Sequence, residues 1–93
     1  MPRFLVESYV AASSAAFDDA CERARLTAAA GTDLVYVDTT YLPEDETVLH
    51  LFDAPSVAAL DEAGRRAGLQ FERIVAAVND PAGERKENRE AHA

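Results

Sequence analysis

The sequence predicts an α+β domain with four strands and two helices in the order βαββαβ, and three observations lead to this prediction. Short runs rich in β-branched and aromatic residues occupy positions 2–10, 34–42, 47–52 and 71–78. Helical patterns fill the two longer intervals between these runs. The length of 93 residues allows a single hydrophobic core.

The first strand and the first helix are predicted from spacing. Phe4 and Val6 alternate with Leu5 and Glu7, which is the period of two that a strand requires. Residues 13–30 are rich in alanine, and small or apolar side chains recur every three or four positions at Phe17, Ala20, Cys21, Ala24 and Ala28. Ser13 or Ser14 is expected to cap this helix, which is expected to end at Gly31.

A hairpin and a second helix follow. The runs at 34–42 and 47–52 are separated by a turn at Pro43, Glu44 and Asp45. Ser56 is placed to cap the second helix and Gly68 to end it. The apolar stripe of this helix comprises Val57, Leu60, Gly64 and Ala67. The last apolar run, 71–78, predicts the fourth strand.

Composition limits the domain organisation and the partners. Residues 1–79 are expected to form the single domain, and residues 80–93 a flexible charged tail with little to bury. The formal net charge of -8 disfavours nucleic acid and anionic membranes as partners. The chain shows no signal-peptide pattern and has a single cysteine, Cys21, so we expect a cytoplasmic protein.

The βαββαβ order is that of the ferredoxin-like fold, with the four antiparallel strands in the order 4-1-3-2 and both helices on one face. We expect Phe4 and Val6 to face the helices, and Leu5, Glu7 and Tyr9 to line the open face. If Leu49 and Leu51 also point inward, the open face of the third strand presents Val48, His50 and Phe52. An open face that is partly apolar predicts a homodimer joined face to face.

Glu7 and His50 are the candidate functional pair, because a carboxylate and an imidazole are unusual in central strands. Together they suit a divalent metal such as nickel, zinc or cobalt, with the second subunit supplying further ligands. The structural alternative is that the two side chains hydrogen-bond to each other or to water. The hairpin register stays open at this point: either Tyr36 and Asp38, or Val35 and Val37, lie beside His50.

Four pocket residues complete the candidate set. Tyr9, Tyr36, Asp38 and Gly64 are the candidate pocket residues around the pair. Gly64 interrupts the apolar stripe of the second helix, which indicates close packing against the sheet or an enlarged pocket. Cys21 is interpreted as a small core residue.

Three segments of the chain resemble a small family of domains of unknown function whose named member is a nickel-binding, ferredoxin-like protein. The segments are PRFLVE, LPEDETVLHLFDAPS and DEAGRRAGLQFERIV, and the resemblance extends over residues 2–78. It implies a ferredoxin-like homodimer with nickel or another divalent metal as cofactor, held by acidic and imidazole side chains, which places Glu7 and His50 as the ligands.

The sequence therefore leads first to a dimeric, non-catalytic binding protein. The alternative is a dimeric α+β-barrel enzyme or ligand-binding protein, in which a pocket around His50 takes a small organic molecule and His50 serves as general base. A third interpretation is a purely structural interaction domain. The common catalytic motifs, such as GxSxG, a phosphate-binding glycine loop, HExxH or CxxC, do not occur in the sequence.

Overall fold

The computed structural model of the protein describes residues 1–78, and the predicted charged tail, 80–93, lies outside the described residues. The strands are β1 (Arg3–Tyr9), β2 (Val35–Leu42), β3 (Thr47–Asp53) and β4 (Arg73–Ala77). The helices are α1 (Ser14–Ala30) and α2 (Val57–Arg66), and a short 3-10 turn, Pro43–Asp45, connects β2 to β3. The predicted order of elements is confirmed.

The four strands form one antiparallel sheet with the order β2-β3-β1-β4, which is 4-1-3-2 when it is read from the β4 edge. β1 and β3 are the central strands. Together with the two helices, this is an α+β architecture compatible with the ferredoxin-like fold.

Both helices pack on one face of the sheet. Phe4, Val6 and Phe52 share one apolar cluster with Ala24 of α1 and Leu60 of α2. A second, smaller cluster surrounds Val10, Ala20 and Val48. The predicted inward direction of Phe4 and Val6 is thus confirmed, and no helix within residues 1–78 covers the opposite face of the sheet.

The helix ends follow the sequence signals. Ser13 caps α1 by accepting a hydrogen bond from the backbone N–H of Ala16 at 3.1 Å, and Ser56 caps α2 in the same way through Ala59. Gly68 follows α2 in the left-handed region, with φ of 76°, where a glycine is favoured. No helix within residues 1–78 is long and apolar enough to cross a membrane.

Candidate functional site: the buried His50 cluster and the open sheet face

Glu7 lies on the open face of the sheet, as predicted. It pairs with Leu49 of β3 and with Arg73 of β4 in the strand register. The Arg73 Nε donates a hydrogen bond to Glu7 Oε1 at 2.6 Å, so this carboxylate has a cationic partner from the neighbouring strand. The burial of Glu7 therefore needs no metal ion to offset it.

His50 lies on the opposite face, against the helices. Its strand partner is Val6, a member of the main core cluster, and its side chain is 0% exposed. The prediction that Glu7 and His50 share the open face is wrong. The two faces of β3 are reversed relative to the expectation. Val48, His50 and Phe52 point into the core, and Leu49 and Leu51 lie on the open face.

The physical reason is that both faces of β3 carry large apolar side chains, so hydrophobic alternation alone does not select the inward face. Phe52 and Val48 are completely buried, and each belongs to a core cluster that extends to residues outside β3. His50, which stands between them in the sequence, has the same strand parity and is carried into the interior. The imidazole is thus buried as a consequence of its neighbours' packing.

Inside the core, His50 belongs to a hydrogen-bonded cluster with two residues of β2. Thr39 Oγ1 lies 2.8 Å from His50 Nδ1, and the hydroxyls of Thr39 and Tyr36 hydrogen-bond to each other. The Tyr36 ring stands edge-on to the imidazole with 6.2 Å between the ring centroids. Among the described residues, nothing hydrogen-bonds to His50 Nε2.

Burial determines the protonation of this cluster. Desolvation lowers the pKa of His50 to about 4, because the charged imidazolium would lose its hydration without gaining a carboxylate partner from the part of the chain that the structure describes. Desolvation also raises the pKa of the Tyr36 phenol. At neutral pH the His50 cluster is therefore uncharged.

A β-bulge in β2 builds the His50 cluster. Tyr36 pairs with Phe52, but the next paired residue is Asp38, opposite Leu51, so Val37 is an extra residue. The bulge reverses the alternation of β2 and brings both Tyr36 and Thr39 to the helix-facing side. Of the residues that the sequence offered as neighbours of His50, Tyr36 is beside it and Asp38 is on the other face. Thr39 was missed, because nothing in the run VYVDTTYL marks the bulge.

The remaining candidate pocket residues do not lie together around His50. Gly64 is buried in α2, and a Cβ atom added there would lie 3.2 Å from Cε1 of Phe71, which supports close packing and gives no pocket beside His50. Tyr9 ends β1 with 69% of its surface exposed. Cys21 is buried on the inner face of α1, in agreement with a core role.

The predicted metal site does not fit this arrangement. Glu7 and His50 are on opposite faces of the sheet, so one ion cannot contact both side chains. Within residues 1–78, no group of three or more His, Cys, Asp or Glu side chains could hold a metal ion. The two proposed ligands have different partners instead, which are Arg73 for Glu7 and Thr39 for His50.

Clefts of the surface also lie away from His50. A cleft of about 320 Å³ opens between β1, α1 and the loop that precedes β4, and Tyr9 is the one predicted site residue in its wall. A second cleft, of about 340 Å³, lies at the start of α1 beside the stacked rings of Phe17 and Tyr41. Neither cleft gives a solvent-borne molecule access to the imidazole.

The open sheet face presents an apolar centre with charged residues around it. Leu5 of β1 pairs with Leu51 of β3 on one side and with Val75 of β4 on the other, which forms an apolar row across three strands. Leu49 of β3 lies in the adjacent row, and Val35, Val37 and Leu42 of the edge strand β2 are 39–48% exposed. The open face comprises these residues together with Glu7, Tyr9, Asp38, Thr40, Arg73 and the pair Arg3–Asp53.

Two ion pairs organise the charge on the open face. Arg3 donates to both carboxylate oxygens of Asp53, at 2.7 and 3.0 Å, and this bidentate contact lowers the pKa of Asp53. The second pair is Glu7–Arg73. Asp38 is exposed and takes part in no ion pair within the described residues.

Comparisons with known proteins bear on the fold. No family model matches the chain, and no curated protein does. Among solved structures, the chain is similar to the crystal structure of SCO4226 from Streptomyces coelicolor A3(2), with a TM-score of 0.67 and 16% sequence identity, over 84% of this chain and 98% of that one. At this identity the likeness shows a shared fold: the βαββαβ chain has the architecture of that Streptomyces protein.

Proposed function

We propose that the protein is a homodimeric, non-catalytic binding module whose two subunits associate through their open sheet faces. The observation that carries this proposal is the apolar row of Leu5, Leu51 and Val75 across the side of the sheet that neither helix of the described residues covers. Apolar surface of this kind is stabilised when another surface removes it from water.

The size of the open face suits a second copy. Four strands about 4.8 Å apart and about seven residues long give a flat area of roughly 450 Å² per subunit, before the relief of the side chains is counted. Two copies together therefore remove at least about 900 Å² from water, which approaches the roughly 1,000 Å² that a specific interface requires. A partner chain also suits a domain of this length, because small domains bury a modest fraction of their surface on folding.

The buried position of His50 supports a binding role over the enzymatic alternative. A general base must reach the proton that it removes. His50 is 0% exposed and its Nδ1 is already engaged with Thr39, so a molecule arriving from solvent does not meet it. Coordination of nickel by Glu7 and His50 is left out of the proposal, since the sheet separates the two side chains.

The proposal is tested by Leu51→Glu, which places a charge in the centre of the open face. We expect wild-type protein at about 100 μM to sediment as a dimer, and Leu51→Glu to sediment as a monomer, because a buried unpaired carboxylate costs several kcal/mol in an apolar interface. Sedimentation equilibrium measures both. The matched control is Leu26→Glu, the same substitution at a position of α1 that is 41% exposed.

The control is expected to leave the dimer intact, and both variants should keep the wild-type circular dichroism spectrum, since neither side chain belongs to a core cluster. A monomeric wild-type protein at this concentration would disprove the proposed function. A Leu51→Glu dimer as tight as wild type would also disprove it, because the subunits would then meet through another surface.

A further inference from the structure

The open face carries charges that select one arrangement of the two subunits, and this inference rests on the proposed homodimer. The relevant groups are Asp38 on the edge strand β2 and Arg73 on the opposite edge strand β4. Both belong to the open face, and their strands are the first and the last of the sheet.

The two groups are differently satisfied within the subunit. Arg73 is 66% exposed and contacts Glu7 through its Nε alone, so its two terminal nitrogens have no partner among the described residues. Asp38 takes part in no ion pair within residues 1–78. The hydrogen bond to Asp53 raises the pKa of the Arg3 guanidinium and the charge of Asp38 adds to this effect, but Arg3 forms its ion pair with Asp53. Each subunit therefore offers a carboxylate that belongs to no ion pair of residues 1–78 and a guanidinium with free donors, at opposite edges of the same surface.

Two closed arrangements bring aligned sheets face to face with two-fold symmetry. If the axis runs along the strands, β2 of one subunit lies over β4 of its partner. If the axis runs across the strands, β2 lies over β2 and β4 over β4. The second arrangement places like charges together at both edges, which is destabilising.

The strand register brings the unlike charges within reach in the first arrangement. Asp38 lies in the row of Leu51, Leu5 and Val75, and Arg73 lies in the next row, beside Glu7 and Leu49. Adjacent rows are two residues, or about 6.6 Å, apart along the strand. A long arginine side chain spans such a diagonal separation between sheets that pack about 10 Å apart.

We infer that the two subunits are related by an axis parallel to the strands, so that Asp38 of each subunit forms an ion pair with Arg73 of the partner subunit. The same contact occurs twice in the dimer, once at each edge. It determines the orientation of the subunits, and the apolar row between the edges supplies the attraction.

A charge exchange tests this arrangement. Asp38→Arg and Arg73→Glu are made separately and together in the full chain, and the dimer dissociation constant is measured by sedimentation equilibrium. Each single variant is expected to raise the dissociation constant at least about tenfold, because it places like charges together twice in each dimer. The double variant restores the unlike pair and is expected to return to within about threefold of wild type.

The controls repeat the change of net charge away from the open face. Asp18→Arg and Arg25→Glu alter exposed positions of α1 and should shift the dissociation constant much less than the corresponding single variants. Circular dichroism verifies that Arg73→Glu, which also removes the partner of Glu7, still folds.

The outcomes separate this inference from the proposed function. Recovery in the double variant supports the arrangement. Additive losses without recovery, or single variants that dimerise like wild type, overturn it and leave the homodimer standing. A wild-type protein that is monomeric overturns both.

Discussion

His50 shows how a single residue can be misread from sequence and still be informative. A histidine in a central strand looks functional because its ordinary pKa lies close to neutral pH. Here the side chain is 0% exposed, and the groups that contact it from β2 are the uncharged Thr39 and Tyr36. The imidazole therefore serves as a core residue in its neutral form. Protonation of this buried side chain would lower the stability of the folded protein.

The pH dependence of stability follows from this burial. The pKa of His50 is about 4 in the folded protein and 6.5 ordinarily, so the unfolded chain binds the proton more readily. Neutral His50 makes its full contribution to the free energy of unfolding above about pH 6.5. This contribution is lost as the pH falls from 6.5 towards 4, and the loss levels off below about pH 4. Integrated from pH 7 to pH 4, the loss in the free energy of unfolding is roughly 3 kcal/mol.

Urea denaturation at several pH values measures this effect, with His50→Gln as the control because glutamine does not titrate in this range. We expect the wild type to lose roughly 3 kcal/mol more than His50→Gln between pH 7 and pH 4. Equal losses would mean that His50 is hydrated or paired with an acid. The NMR titration of the His50 ring gives an independent measurement, with a midpoint near pH 4.

At the scale of the element, the β2 bulge is the feature that organises the polar interior. Without Val37 as an extra residue, Tyr36 and Thr39 would point to opposite faces, since they are three positions apart in a strand. With the bulge, both hydroxyls lie beside His50, and the hydroxyl of Thr39 links the phenol to the imidazole. The irregular strand thus provides a hydrogen-bond partner for a histidine that the packing of β3 has buried.

Substitution of Thr39 tests the role of this link. Thr39→Val keeps the shape and β-branching but removes the hydroxyl, so Tyr36 and His50 Nδ1 both lose a buried partner. We expect the free energy of unfolding to fall by about 2–3 kcal/mol, measured by urea denaturation at pH 7. Thr32→Val is the control, because Thr32 is exposed in the connection between α1 and β2 and lies outside the open face. A loss for Thr39→Val within about 0.5 kcal/mol of the control would contradict the prediction.

The contrast between elements explains how much of the molecule was predictable. The predictions of both helices and of their caps at Ser13 and Ser56 were correct, because helical spacing and capping are local signals. The order of the strands along the chain was also local information. The inward face of β3 was not, because Leu49 and Leu51 are as hydrophobic as Val48 and Phe52, and the choice depends on contacts with the rest of the fold.

The prediction that Glu7 and His50 form one site was wrong for the same reason. Glu7 was placed on the correct face, because it alternates with Phe4 and Val6, which were expected to face the helices. The opposite assignment of inward and outward residues in β3 put His50 on the wrong side of the sheet. The bulge at Val37 then separated Tyr36 from Asp38. A bulge has no reliable signature in a run of β-branched and aromatic residues, so the partner Thr39 could not be anticipated.

At the scale of the whole molecule, the apolar core is divided. Phe4, Phe52 and Leu60 belong to the larger cluster, and Val10 and Val48 to the smaller one. The buried polar residues Ser8 and His50 lie on the same strands as these clusters, and the helices contribute small side chains such as Ala20 and Ala24. A core of this size and composition gives modest stability to one chain, so association of the open faces should contribute strongly to the stability of the folded protein.

Thermal unfolding should therefore depend on protein concentration. If the folded dimer unfolds to two separate chains, mass action stabilises it by about 1.4 kcal/mol for each tenfold increase in concentration. Divided by the unfolding entropy of two small domains, this corresponds to a rise in Tm of about 4 °C per tenfold increase. Differential scanning fluorimetry or calorimetry at about 5, 50 and 500 μM measures the shift.

Leu51→Glu provides the reference for this experiment, since a monomer unfolds at a temperature that does not depend on its concentration. Leu26→Glu, with the same change of charge on the outer surface of α1, should retain the wild-type dependence. A wild-type Tm that stays constant over the hundredfold range would show that folding is not coupled to association. The core beneath the helices would then have to stabilise the domain alone, with the apolar row of the open face left in contact with water.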